Sequence, residues 1–176
     1  MRKTACCFLL LLSLVAFSCG TKYSKIKVNS CTKSVIYFYN DNPPSCLGIT
    51  PNVKIQRCFI FRNEKDYESF KGASLFSRRS YLDIVLQPGE YCPVTVDPGK
   101  QKFIIVLNYE FSSGVSYVTG VGQVFHYEIS AEPNSSYYIK ITIKDKFKGG
   151  YLVKMQETLA EKEIKDYELG VMRTKK

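Results

Sequence analysis

The sequence predicts a predominantly β domain closed by a short C-terminal α-helix, and three observations carry that expectation. Residues 87–106 contain two Pro-Gly pairs, Pro88-Gly89 and Pro98-Gly99, which bracket one short strand and launch another. Pro presets φ near −65° at the second position of a turn and Gly takes the positive φ of the third, so each pair encodes a type II turn and the whole reads as a β-meander. The composition is aromatic, with 13 Tyr and 11 Phe but no Trp, and such residues favour pleated surfaces. Finally, residues 124–131 and 137–143 alternate apolar and polar side chains with the period of two that marks a strand.

The chain opens on a processing segment. Met1-Arg2-Lys3-Thr4 is a positive n-region, and the apolar run 5–17 is shorter than the ~20 residues of a membrane span. Residues 1–18 therefore read as a signal peptide. The run ends at Ala16-Phe17-Ser18-Cys19-Gly20, which resembles a relaxed bacterial lipobox: a small residue precedes a cysteine whose thiol takes diacylglycerol and whose freed amine is acylated, commonly with palmitate. Lipoboxes usually carry Leu three residues before the cysteine and a small residue two before it, where Ala16 and Phe17 stand here. Secretion with cleavage near Ser18, and Cys19 a bystander, is the alternative. Two or three acyl chains give stable attachment where one would be marginal, so acylated Cys19 is expected to hold the protein to a lipid bilayer without spanning it. Gly20 rather than Asp after the cysteine is compatible with export to the outer membrane, facing the periplasm or the surface.

Residues 19–30 then form the lipidated cysteine and a polar tether, with Lys22, Lys25 and Lys27 near anionic headgroups. Residues 31–52 read as an N-terminal elaboration containing a strand at 34–39 and turn material at 40–45. The β-domain is expected over 53–170. It opens with a strand at 54–62, placing Ile55, Arg57, Phe59 and Phe61 on one face and Cys58 with Ile60 on the other. A short helix over 65–71 interrupts the strands, which resume at 81–86, 90–96 and 102–110. Residues 116–124, threaded with Gly120 and Gly122, lack the Lys-Ser/Thr of a phosphate cradle and read as a kinked or edge strand. Strands follow at 124–131 and 137–143, the latter with Tyr138, Lys140 and Thr142 facing outward, and at 151–155. Residues 157–168 have helical spacing, with Leu159, Ile164 and Tyr167 on one face, Glu161, Lys162 and Lys165 outside, and Gly170 as the stop. Residues 171–176 form a basic tail.

This order resembles a family of bacterial lipoproteins of unknown function whose domain is a small PEGA-like or transthyretin-like β-sandwich. The resemblance spans residues 54–169. It rests on Cys58-Phe-Ile-Phe-Arg62, Pro88-Gly-Glu-Tyr91, Asp97-Pro-Gly-Lys100, Ala131-Glu-Pro-Asn-Ser-Ser-Tyr-Tyr-Ile-Lys140 and the Glu-rich C-terminal helix. It implies an antiparallel immunoglobulin-like or transthyretin-like sandwich with a C-terminal α-helix, and it implies no activity. Asn134-Ser135-Ser136 departs from the Gly-Lys-Thr/Ser usual in that block, and residues 31–53 and 112–123 are departures too.

The residues point to a location more than to a reaction. Formal net charge is +9, of which Arg2 and Lys3 supply two, so the mature chain is biased towards anionic lipid or acidic polysaccharide. After Cys19 come four cysteines, Cys31, Cys46, Cys58 and Cys92, and an exported chain with an even number invites disulfides, here Cys31–Cys46 and Cys58–Cys92. Free buried thiols are the competing reading. No Cys-x-x-Cys occurs, and a single histidine gives no expectation of a metal or other cofactor. His126 falls on the outward side of its strand, and no Gly-x-Ser-x-Gly supplies a nucleophile for it. Arg78 and Arg79 are candidate contacts for a phosphate or sulfate, and an outward Tyr138 could stack on a sugar ring or anchor a partner. Glu157, Glu161 and Glu163 are explained by pairing with lysines along a helix. The expectation is a non-enzymatic, lipid-anchored interaction or cell-envelope module whose partner is an envelope or extracellular protein or a glycan, with no role for nucleic acid. The alternatives are a periplasmic or surface hydrolase using His126 and a surface adhesin holding acidic glycans.

Overall fold

The computed structural model describes residues 22–26, 32–41, 53–72, 83–113, 116–145 and 149–172. Among them are ten strands in two five-stranded sheets and two short helices. The first sheet contains β1 (Ser34–Asn40), β4 (Glu90–Val96), β7 (Ser136–Asp145), β8 (Gly149–Met155) and β9 (Glu168–Leu169), in the order β8-β7-β1-β4-β9. The second contains β2 (Val53–Phe61), β3 (Ile84–Leu86), β5 (Gly99–Ser113), β6 (Ser116–Ala131) and β10 (Val171–Met172), in the order β10-β3-β2-β5-β6. One apolar core joins their inner faces, with Ile36, Phe38 and Ile139 from the first sheet against Ile60, Phe103 and Ile105 from the second. The chain is mainly β, with two sheets packed face to face.

Most pairings are antiparallel, but β1 runs parallel to β7 and β4 runs parallel to β9. Strand β1 corrects the expected domain boundary at Val53. Its seven residues are all buried, and it lies at the centre of the first sheet, between β7 and β4. Ile36 and Phe38 enter the inter-sheet core while Val35, Tyr37 and Tyr39 enter a second apolar layer on the sheet's outer face. The run Val-Ile-Tyr-Phe-Tyr suits a strand covered on both sides, since every position is β-branched or aromatic. The sandwich thus includes residues from Ser34 onward, and a strand read as an elaboration is its middle.

Strand β2 shows the expected two faces. Cys58 and Ile60 point into the core, whereas Phe59 and Phe61 point outward and are covered by helix α1 (Glu64–Gly72) through Phe70, with ring centroids 5.5 and 5.2 Å away. Asn63 caps α1, its Oδ1 accepting the Asp66 N–H at 2.9 Å, and Glu64 and Asp66 sit in the first turn where the helix dipole favours negative charge. The Pro88-Gly89 turn forms as expected, with Gly89 at φ 77° and the Glu90 N–H donating to the Gln87 carbonyl at 3.1 Å. Gly99 has φ 112° and starts β5, but β3, β4 and β5 alternate between the two sheets, so the meander expected around the two Pro-Gly pairs is not formed. The two segments expected at 116–124 and 124–131 are one continuous strand, β6, at the edge of the second sheet, with a register irregularity opposite Leu107 and Asn108 that leaves Gly122 unmatched. Such a bulge bends an edge and blunts it against pairing with other chains.

Helix α2 (Glu157–Ile164) lies on the outer face of the first sheet, burying Ala160 and Ile164. Leu159, expected inside, is 51% exposed, because the buried stripe runs through Ala160 and Ile164 instead. Gly170 is not the helix stop. The helix ends before it, and the chain runs as β9 beside β4, crosses at Gly170 and continues as β10 beside β3, so one short segment closes the same side of both sheets. Gly170 is buried, its N–H donates to the Tyr91 carbonyl at 2.7 Å, and a Cβ there would lie 2.5 Å from Leu86 Cδ2.

Candidate functional site

The most concentrated chemistry among the described residues lies on the outer face of the first sheet. Alternation along β1, β4 and β7 places Tyr37, Tyr39, Tyr91 and Tyr138 there, and all four are buried. Tyr37 and Tyr138 stack with centroids 4.8 Å apart and planes 6° from parallel. Tyr138, expected to face outward, does leave the inter-sheet core, but α2 and the N-terminal segment cover it. It is fully buried and is no exposed stacking platform. Thr142 on the same face is also buried.

Residues 22–26, expected as a tether, dock on this face. Tyr23 meets Tyr37 and Tyr91 edge-on, with centroids 5.9 and 5.3 Å away. Its N–H donates to the Tyr167 carbonyl at 3.1 Å, and the N–H groups of Ser24 and Ile26 donate to the hydroxyls of Tyr91 and Tyr37 at 3.3 and 2.8 Å. Lys25 is drawn off the headgroup role, since its ammonium pairs with Glu157 and, at 3.0 Å, with Glu161. Lys22 forms an isolated backbone bridge with Glu168.

The hydroxyls and charges form two linked groups. The Tyr138 hydroxyl donates to Glu161 Oε1 at 3.0 Å, and the Tyr23 hydroxyl lies 3.2 Å from that of Tyr138 and 3.4 Å from Glu161. The Tyr39 hydroxyl donates to Glu163 at 3.0 Å and that of Tyr167 to Asp41 at 2.5 Å, while Lys140 lies 2.5 Å from Asp41 and 2.9 Å from Glu163. Glu161 and Glu163 therefore receive hydrogen bonds from sheet residues rather than merely decorating a solvated helix face.

Burial raises the tyrosine hydroxyls: that of Tyr23 is pushed up to about 12, and those of Tyr39, Tyr138 and Tyr167 also rise, with nearby carboxylates adding to the effect. These phenols remain protonated donors at neutral pH. Hydrogen bonding from Lys25 holds the Glu161 carboxyl below its usual range against the opposing effect of burial. Burial alone would depress Lys140, but its hydrogen bonds to Asp41 and Glu163 outweigh that and raise it. Donors and acceptors are matched, and the arrangement clamps residues 22–26, Asp41, α2 and Tyr167 onto the sheet.

Glu161 gives this clamp a pH dependence. A carboxyl depressed on folding stabilises above its unfolded pKa of about 4.3 and loses that contribution as pH falls through the lower folded value. Wild type is expected to exceed Glu161→Gln in stability by about 0.5–1 kcal/mol at pH 7, a partly exposed pair being screened. The gap should close towards pH 3, as read by urea denaturation at both pH values. A gap independent of pH would mean that the Lys25 pair is not its source.

Cys58 and Cys92 correct the expected bridge: each is a free thiol, buried in the core between the sheets. They lie on strands of opposite sheets, where each packs as a small apolar side chain. Burial pushes the Cys92 thiol up to about 12 and raises that of Cys58 as well, which suppresses the nucleophilic thiolate. A water-soluble alkylating agent should therefore leave both unlabelled in the native protein and label both in denaturant, as read by peptide mass mapping. Labelling of either thiol in the native protein would contradict this burial.

His126 is exposed on edge strand β6, opposite Ile104 and flanked on its own face by Val124 and Glu128. On that face Glu128 bridges Lys100 at 2.6 Å and Lys102 at 3.0 Å, and these hydrogen bonds lower its pKa. Cys19, Cys31, Cys46, Arg78 and Arg79 lie outside the described residues, as do Lys27 and residues 173–176. Among the described residues no group of three or more His, Cys, Asp or Glu side chains could hold a metal, and no helix is long and apolar enough to cross a membrane.

The sequence reading missed the tyrosine clamp. Its signal is present in β1 and β7, which carry large side chains on both faces. What covers the second face, residues 22–26 and a helix more than a hundred positions from β1, leaves no mark in local periodicity. The chain matches no protein-family model, no curated protein and no solved structure in the comparisons made.

Proposed function

We propose that the protein is a lipid-anchored, non-enzymatic module of the cell envelope, held in the outer membrane through acylated Cys19 and presenting an immunoglobulin-like or transthyretin-like sandwich of the PEGA-related lipoprotein type. The observation that carries this reading is the docking of residues 22–26. The chain is already fixed to the sandwich at Lys22, three positions after the lipobox cysteine. Tyr23 inserts among buried tyrosines, and Lys25 is held by two glutamates. A catalytic domain on a flexible leash gains nothing from such a joint, whereas a module that must stand in a set position on a membrane does. A partner of the module is an envelope or extracellular protein or a glycan.

Intact mass measurement of the chain purified from its own membranes tests the anchor. A mature species starting at Cys19 with added acyl mass, abolished by Cys19→Ala, is the expected result. A lipid-free chain would overturn the reading in favour of a secreted protein.

A further inference from the structure

Residues Glu168–Met172 close one side of the sandwich and leave two large apolar side chains in water. Leu169, in β9, is 46% exposed and Met172, in β10, is 44% exposed. The chain crosses from one sheet to the other between them at Gly170, so both belong to the same edge. Lys22 is bridged to Glu168 at this edge. Counting back from Lys22, Cys19 is three residues away, and three residues span at most about 10–11 Å even when fully extended. The opposite side of the second sheet, formed by β6, lies four interstrand spacings away from β10, roughly 19 Å at about 4.8 Å each.

We infer that the β9–β10 edge is a bilayer-facing surface, on which Leu169 and Met172 enter the headgroup layer of an anionic phospholipid membrane. This rests on the acylation of Cys19 proposed above. An acyl chain within about 11 Å of Lys22 cannot reach the bilayer unless the edge bearing Lys22 is itself close to it. Two apolar side chains there gain by leaving water, and their burial adds to the anchor. The charges agree in sign. The sequence after the signal segment carries a net positive charge, which anionic headgroups attract.

The absence of tryptophan from the sequence makes the test direct. Met172→Trp and His126→Trp each place a single reporter at an exposed site, one on the inferred edge and one on the opposite strand. The acylated full mature chain carrying either substitution is reconstituted into vesicles of phosphatidylglycerol and phosphatidylcholine with brominated acyl chains. The Met172→Trp reporter is expected to be quenched and blue-shifted, and the His126→Trp reporter to be unaffected. Quenching of the His126→Trp reporter alone, or of neither, in vesicles carrying protein of acylated mass would overturn the inference while leaving the anchor intact.

The same substitutions in the unacylated Cys19→Ser mature chain separate the two readings. Binding to anionic vesicles with quenching of the Met172→Trp reporter supports the edge even if native Cys19 carries no lipid, and Leu169→Glu should weaken that binding about ten-fold. An unacylated chain with no affinity for these vesicles, together with a lipid-free native mass, would overturn both readings. Circular dichroism identical to wild type verifies that each variant is folded.

Discussion

Replacing Phe38 by Ala is expected to cost about 3–5 kcal/mol of folding stability, the range for deleting a large aromatic side chain from a packed core. Phe38 is fully buried in the middle of β1, where it meets Phe103 of the opposite sheet edge-on at 5.0 Å, so it joins the two layers at their centre. Against the 5–15 kcal/mol that typically separates folded from unfolded domains, roughly a fifth or more of the stability would be lost. Chemical denaturation of wild type and Phe38→Ala at one pH measures the difference directly. The same strand makes a stronger prediction. A chain beginning at Val53 would lack the partner that separates β4 from β7, leave both with an unpaired edge, and expose Tyr91 and Tyr138. It should show no cooperative unfolding transition, and a folded fragment from Val53 would refute the placement of β1. A Phe38→Ala loss below about 1 kcal/mol would do the same, since only surface substitutions are usually that mild.

Gly170→Val is expected to be comparably damaging, for a steric reason confined to one position. An ideal Cβ at Gly170 lies 2.5 Å from Leu86 Cδ2, 3.2 Å from the Val85 carbonyl oxygen and 3.3 Å from Glu90 Oε2. Leu86 is fully buried and cannot swing into solvent, and the carbonyl belongs to the backbone of the strand that pairs with β10. Relief requires moving the crossover away from the sheets, which would weaken β9 and β10 together. Overpacking of this kind costs about 3 kcal/mol at the upper end of its usual range. Gly72 serves as the control. Nothing lies within 4 Å of a Cβ placed there, at the end of α1, so Gly72→Ala should be neutral or stabilising by up to about 1 kcal/mol. If the two glycines responded alike in thermal or urea unfolding, the close approach at Gly170 would be disproved.

These two positions also show where sequence reading succeeds and where it stops. The Pro88-Gly89 turn, strand β4 and the two faces of β2 follow from local rules: fixed φ at Pro, positive φ at Gly and a period of two. Each involves residues only a few positions apart. Gly170 was equally visible as a glycine, but its meaning depends on Leu86, eighty-four positions earlier and brought beside it by the crossover. Helix termination and close approach both select glycine, and only the packing distinguishes them.

The sequence alone determined that this chain is mainly β and where most of its strands and both helices lie. These are properties of contiguous residues, set by backbone torsions and side-chain alternation. Tertiary structure decided that β1 is central rather than peripheral, that the outer face of the first sheet is covered, and that Tyr138 donates to Glu161 from within that cover. It also decided that Cys58 and Cys92 are free core thiols and that residues 22–26 are docked on the sandwich. The physical reason is common to all of these. A strand's alternation states which side chains share a face, but the partner of that face is chosen by burial and hydrogen-bond matching among segments far apart in the chain.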